Sequence, residues 1–200
     1  QAWTGAVPML VQMTYIPPLA IGGEAALTLW TMVASWLPAA LVFVLSRRHL
    51  SLNWSLAIAL IYLTTPAVVY GGGSGQVEPK MTLFVMVGAW SLAKYIETHC
   101  LSFVLLSGLA AGFFAGSKYM GLLFVAAIGL VILFRSGELR KALIAGMAFG
   151  FAAIVGGFQW YAWNTFNTGD PVFPMFFEWL GQNDLGYWSE SYSRWFKENI

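Results

Sequence analysis

Six apolar stretches separated by short polar breaks run through this chain: Ala25–Leu45, Trp54–Tyr70, Met81–Ile96, Leu101–Ser117, Met120–Phe134 and Ala142–Trp163. A helix needs about 20 mostly apolar residues to cross the hydrocarbon core of a bilayer. A water-soluble fold would have to hide all six stretches behind a charged surface, and the chain lacks that charge. Of its 200 residues 58% are hydrophobic and 10% charged, where a soluble domain carries roughly 25% charged residues. The expected fold class is an all-α polytopic membrane protein with about six transmembrane helices and outer-face loops. The chain opens on Gln1, and no basic-then-apolar leader precedes the first stretch. It is therefore expected to be a fragment of a larger multi-span bundle.

Charge placement sets the number of crossings. The third, fourth and fifth stretches are short for a span, and the fourth and fifth could be read as one helix through Lys118. With six spans, Arg47, Arg48, Lys94, Arg135, Arg140 and Lys141 share one side of the membrane. Lys80, Lys118, Arg194 and Lys197 share the other side with seven of the nine acids. The positive-inside rule then places "RRH" and "RSGELRK" in the cytoplasm, and merging two spans would break that pattern. Three regions follow: residues 1–24 as the end of an outer-face loop, 25–163 as a six-helix transmembrane region, and 164–200 as an aromatic-rich outer-face or juxtamembrane segment.

The chemically suggestive residues all fall on that outer side. In "GGGSGQVEPK", residues 71–80, Glu78 and Pro79 open a helix, since proline suits the first helical turn and an acid there meets the positive end of the dipole. The plain reading is a flexible glycine turn and a helix start. The functional reading is a carboxylate held at the membrane surface, with Lys80 beside it. Lys118, in "AGSKYMG", interrupts an apolar run of more than thirty residues. It is either a snorkelling lysine that marks a turn or a cation for a phosphate near the outer leaflet. Gly108, Ala111, Gly112, Ala115 and Gly116 form a small-residue surface suited to close helix packing. Trp160, Trp163, Trp179, Trp188 and Trp195 read first as an interfacial aromatic belt, and a few could stack on a sugar or a lipid tail.

Other chemistries lack their residues. One cysteine, Cys100, excludes an internal disulfide and a cysteine-based zinc site. His49 and His99 lie in cytoplasmic loops, away from the acids. No Gly-Lys-Ser/Thr follows the glycines, no nucleophile elbow is visible, and no basic stripe suggests nucleic acid.

A helix ending in "SRRH", then "TTPAVVYGGGSGQVEPKMTLFVMVGAW", "LLSGLAAGFFAGSKYMGLLF" and "NTFNTGDPVFPMF" occur in that order. Together they resemble the bacterial membrane glycosyltransferases of the C-type superfamily, which includes protein mannosyltransferase-like and aminoarabinose-transferase-like enzymes. The resemblance implies an inverting sugar transfer from a polyprenyl-phosphate-linked donor to a glycan, lipid or protein acceptor, in a bacterial inner membrane with the site facing the periplasm. It implies a catalytic base in the first large outer loop, which would lie upstream of Gln1, so that this piece alone would be inactive. Glu78 stands where many relatives carry Asp in the second outer loop, and Asp170 where they usually carry Asn. Glu78 is then expected at the rim of the active site, orienting the acceptor or helping to hold a divalent cation. Lys80, Lys118, Tyr119, Asp170 and Arg194 are the expected substrate-binding residues. One carboxylate does not make a metal site, so a metal stays open.

Two other classes use similar parts. A secondary transporter or a flippase for a lipid-linked substrate would also show a helix bundle with glycine breaks, though its ionisable residues would gather near the midplane. A non-catalytic membrane assembly subunit would need no chemistry at all.

Overall fold

The computed structural model describes residues 8–135, 137–181 and 198. Among the described residues every regular element is an α-helix: α1 (Leu10–Met13), α2 (Ile16–Ser46), α3 (Leu52–Thr64), α4 (Pro66–Gly73), α5 (Glu78–Thr98), α6 (Leu101–Ala115), α7 (Met120–Arg135), α8 (Leu139–Thr168) and α9 (Phe177–Leu180). All six apolar stretches lie on these helices. Large apolar side chains stand on the outside, among them Ile21, Phe134 and Phe166, each more than 80% exposed. That arrangement suits lipid as the surrounding solvent, and the chain is a helical membrane protein.

Among the described residues two helices, α2 and α8, are long and apolar enough to cross a membrane, and the α3–α4 pair makes a third if it is one span. Six were expected. The shortfall has a physical cause: α6 and α7 have 15 and 16 residues, below the roughly 17–25 of a full crossing. α5 has 21 residues but carries Glu78 and Lys80 near its start and Lys94 and Glu97 near its end.

Breaks follow the local chemistry. Gly22 and Gly23 interrupt α2 just before the apolar run at Ala25, and Gly23 takes φ 60°, ψ −151°, a conformation open essentially to glycine alone. Pro66 lacks an N–H and pushes Thr65 to extended backbone (ψ 126°), so α3 and α4 meet at a bend of 59°. The glycine run departs from the flexible turn expected of it. Gly71–Gly73 form the last turn of α4, and Gly71 and Gly72 are buried. A Cβ on Gly72 would sit 2.7 Å from Ser35 Oγ, and Thr31 Oγ1 donates to the Gly72 carbonyl at 2.7 Å. Gly72 serves close approach to α2, a Cβ on Gly71 would sit 3.2 Å from the Pro79 ring, and Ser74–Val77 link α4 to α5.

The centre of the bundle is α6, packed on α8, α5 and α7. Its small residues meet α8 backbone directly: a Cβ on Gly108 would be 2.5 Å from Phe149 O, and one on Gly112 2.2 Å from Ala153 O. Tyr95, Val104, Ala111, Ile128, Ile132, Ala145 and Phe149 fill the core around that contact. A second cluster, Val11, Val77 and Met81 with Tyr15, Phe84 and Phe114 against it, joins α1 to the start of α5.

Candidate functional site

Four separate stretches are tied together by hydrogen bonds at one end of the bundle. Leu10 N donates to Gly116 O at 3.0 Å, which anchors α1 to the α6–α7 turn. Tyr15 Oη donates to Gln76 O at 3.3 Å, which anchors the start of α2 to the α4–α5 link. Tyr119 Oη donates to Phe173 O at 2.6 Å, which brings in the segment after α8. The convergence expected of residues 1–24, 71–80, 118–119 and 164 onward is thus present in their described parts. Arg48 lies at the other end, 5.8 Å over the Trp90 ring, with Lys94 paired to Glu97.

Glu78 and Lys118 meet across 40 positions of sequence, Nζ to Oε1 at 2.6 Å. Their side chains remain about half exposed, 42% for Lys118 and 53% for Glu78. The hydrogen bond from Lys118 holds the Glu78 carboxyl below the ordinary carboxylate range. Glu78 opens α5 and Lys118 sits in the turn after α6, so the close α5–α6 packing sets their separation.

Lys80 behaves differently. It is 6% exposed, and it stands one residue before the apolar stretch that begins at Met81. Its ammonium lies 4.4 Å from the centre of the Tyr15 ring and donates to Tyr15 Oη at 3.2 Å. Among the described residues no carboxylate pairs with it. Burial disfavours the charged form and pushes its pKa down to about 8. Tyr15 is pushed up to about 12, by burial first and by the Glu78 charge second.

Tyr119 is a bridging group. Besides donating to Phe173 O it accepts from Asn164 Nδ2 at 3.2 Å, and Asn164 also reaches Pro171 O at 3.3 Å. Burial raises the Tyr119 phenol to about 12. Tyr161 Oη donates to Ala115 O at 2.7 Å, which pins α8 to the end of α6. Asp170 is fully buried, and its two oxygens accept from Val172 N and Phe176 N, both at 2.9 Å. It folds the segment after α8 into the turn that Tyr119 holds.

Of the residues expected at a site, Glu78, Lys118, Lys80 and Tyr119 come to one end of the bundle, and Asp170 acts there through backbone. Arg194 lies outside the described residues, as do Trp188 and Trp195. Sequence reasoning missed Tyr15, Asn164 and Tyr161. Tyr15 carried a signal, an aromatic just before Ile-Pro-Pro at a helix start. Asn164 and Tyr161 carried none beyond being polar groups in the last turns of a long apolar helix. Among the described residues no three His, Cys, Asp or Glu side chains come together, and Glu78 faces a lysine, so these residues do not fit a divalent cation.

The family model for dolichyl-phosphate-mannose-protein mannosyltransferases matches residues 13–163. No curated protein and no solved structure matches the chain. The matched stretch runs from just before Tyr15 to just before Asn164, so it takes in Glu78, Lys80, Lys118 and Tyr119. The chain belongs to the dolichyl-phosphate-mannose-protein mannosyltransferase family, a family of membrane glycosyltransferases.

Proposed function

We propose that this member of the family moves a sugar from a polyprenyl-phosphate-linked donor to an acceptor hydroxyl, with inversion, at the outer face of a bacterial inner membrane. The observation that carries the reading is the pair of unlike lysines at one end of the bundle. Lys118 is matched by Glu78, whereas Lys80 is buried with no carboxylate partner among the described residues. A buried cation lacking a counter-charge is costly, and an arriving phosphate removes the cost. In the transfer, the acceptor oxygen bonds to the anomeric carbon as the carbon–oxygen bond to the phosphate breaks. The acceptor proton passes to a base, and the electron pair leaves with the lipid phosphate. Lys80 would stabilise the negative charge that grows there.

Glu78 suits an orienting role. Its carboxyl is held low by Lys118, which makes it a weak base but a good acceptor for a substrate hydroxyl. Tyr119, Asn164 and Asp170 would shape the wall that the sugar meets. We read the six helical stretches as six crossings, with the short α6 at the centre of the bundle, the short α7 packed against it by one face, and residues 1–24 and 164–200 on the outer face. The broken α3–α4 pair and the glycine break in α2 favour a lipid-linked-substrate transporter. The clustering of Glu78, Lys80 and Lys118 at one end of the bundle favours surface chemistry.

The test is transfer from radiolabelled polyprenyl-phosphate sugars by membranes holding the full-length protein, beside Glu78→Ala and Lys80→Ala. Transfer by the wild type that drops in both variants supports the reading. Folded, inserted protein that transfers from no donor, or variants as active as the wild type, would refute it.

A further inference from the structure

Lys80 has a problem that its own helix cannot solve. A lysine that is 6% exposed needs partners for the three N–H groups of its ammonium. Its hydrogen-bond partner among the described residues is Tyr15 Oη, which in turn donates to Gln76 O. The negative face of the Tyr15 ring, 4.4 Å away, stands in for part of the water that burial removes. Tyr15 is itself held at its ring and at its hydroxyl, beside an anchored neighbour. It packs on the Val11–Val77–Met81 cluster, its hydroxyl reaches the α4–α5 link, and Trp30 Nε1 donates to the neighbouring Thr14 at 3.3 Å. An aromatic anchored at the start of α2 therefore sets where the Lys80 ammonium sits.

We propose that Tyr15 is a positioning residue for Lys80, its ring and hydroxyl holding the ammonium two residues from the Glu78–Lys118 pair so that it receives the phosphate of a prenyl-phosphate ligand. The proposal rests on the reading that Lys80 is the phosphate-facing cation. Other groups leave the ammonium to Tyr15. Glu78 is engaged by Lys118, Tyr70 of α4 and Glu24 of α2 are exposed, α6 has no titratable side chain, and α7 has only Arg135 in its last turn.

The experiment uses the full-length protein in lipid nanodiscs and farnesyl phosphate as the probe. Two quantities are read: farnesyl phosphate affinity across pH 6–10, and acylation of Lys80 by an amine-reactive reagent with the exposed Lys141 as internal reference. In the wild type farnesyl phosphate protects Lys80, and affinity falls as pH rises through the loss of the ammonium charge. In Tyr15→Leu, affinity drops about tenfold and Lys80 acylates faster without ligand. In Tyr15→Phe, which keeps the ring and the packing, affinity drops about threefold and the basic limb moves to lower pH. Wild-type protection with unchanged affinity, acylation and pH profile in folded Tyr15→Leu and Tyr15→Phe overturns the role of Tyr15 alone. Absence of protection in the wild type overturns the phosphate reading, and the role of Tyr15 with it. If Tyr15→Leu does not fold, Tyr15→Phe decides between the same outcomes.

Discussion

Gly112→Ala should loosen the whole functional end of the bundle, and Gly150→Ala should not. A Cβ on Gly112 would lie 2.2 Å from Ala153 O and 2.9 Å from Ala153 C, both backbone atoms of α8. An ordinary C···O approach is about 3.3 Å, so α6 and α8 must separate locally by about 1 Å. Neither atom can turn aside as a side-chain tip could. The reciprocal contact tightens the same spot, since a Cβ on Gly157 would be 2.3 Å from Gly112 O. Overpacking of this kind costs about 3 kcal/mol, of which better helix propensity returns about 1. Gly150, on the same helix α8, has nothing within 4 Å of its would-be Cβ; alanine there gains at most about 1 kcal/mol. The effect should reach the site, because Tyr161 Oη holds Ala115 O and Leu10 N holds Gly116 O just beyond Gly112. The assay is SDS-induced unfolding in mixed micelles, followed by far-ultraviolet circular dichroism, with acylation of Lys118 as a local probe. Gly112→Ala should unfold at clearly lower SDS and expose Lys118. Equal midpoints for the two variants would refute the claim that backbone contact between α6 and α8 supports the site.

Three further outcomes are expected. Lys80 holds a pKa of about 8 against an ordinary 10.5, so between those values the folded chain binds fewer protons than the unfolded one. Stability from this group then rises with pH through that window, while sugar transfer falls to about one-tenth of its plateau near pH 9 as charge is lost. Lys80→Arg stays charged and should lack that basic limb; an identical pH profile in Lys80→Arg would show that Lys80 is not the group responsible. Lys118→Met should cost under about 1 kcal/mol of stability, because the Glu78–Lys118 pair is half exposed, yet lower transfer at least about tenfold through the misplaced carboxylate. An equal loss in stability and activity would argue for a structural pair instead. Asp170→Ala should free the Val172 and Phe176 amides and cost about 3 kcal/mol, with faster hydrogen exchange at both, while Asp170→Asn keeps one acceptor and costs about half.

Much of this protein is written in one-dimensional pattern. Apolar runs near the length of a bilayer, separated by charge, force helices in lipid because every backbone group must be paired within its own segment. Proline at the first turn placed the start of α5, and the positions of Glu78, Lys80 and Lys118 at the ends of apolar runs brought them to one end of the bundle. Such signals are local, so sequence carries them whole. Contacts between distant segments are not of that kind. The glycines at 71–73 look like a loop until their neighbours are seen, since Gly72 meets Ser35 and Thr31 of α2 and Gly71 meets Pro79 at the start of α5. Glu78 chooses Lys118 over the nearby Lys80 because the packing of α5 on α6 brings one lysine to it while Tyr15 draws the other away. Side-chain partnership across 40 or 65 positions depends on interhelical distance and on which face each helix turns inward. For Glu78 and Lys118 the packing of α5 on α6 decides both, and for Lys80 the Val11–Val77–Met81 cluster sets Tyr15 against the start of α5; each is a property of the assembled bundle.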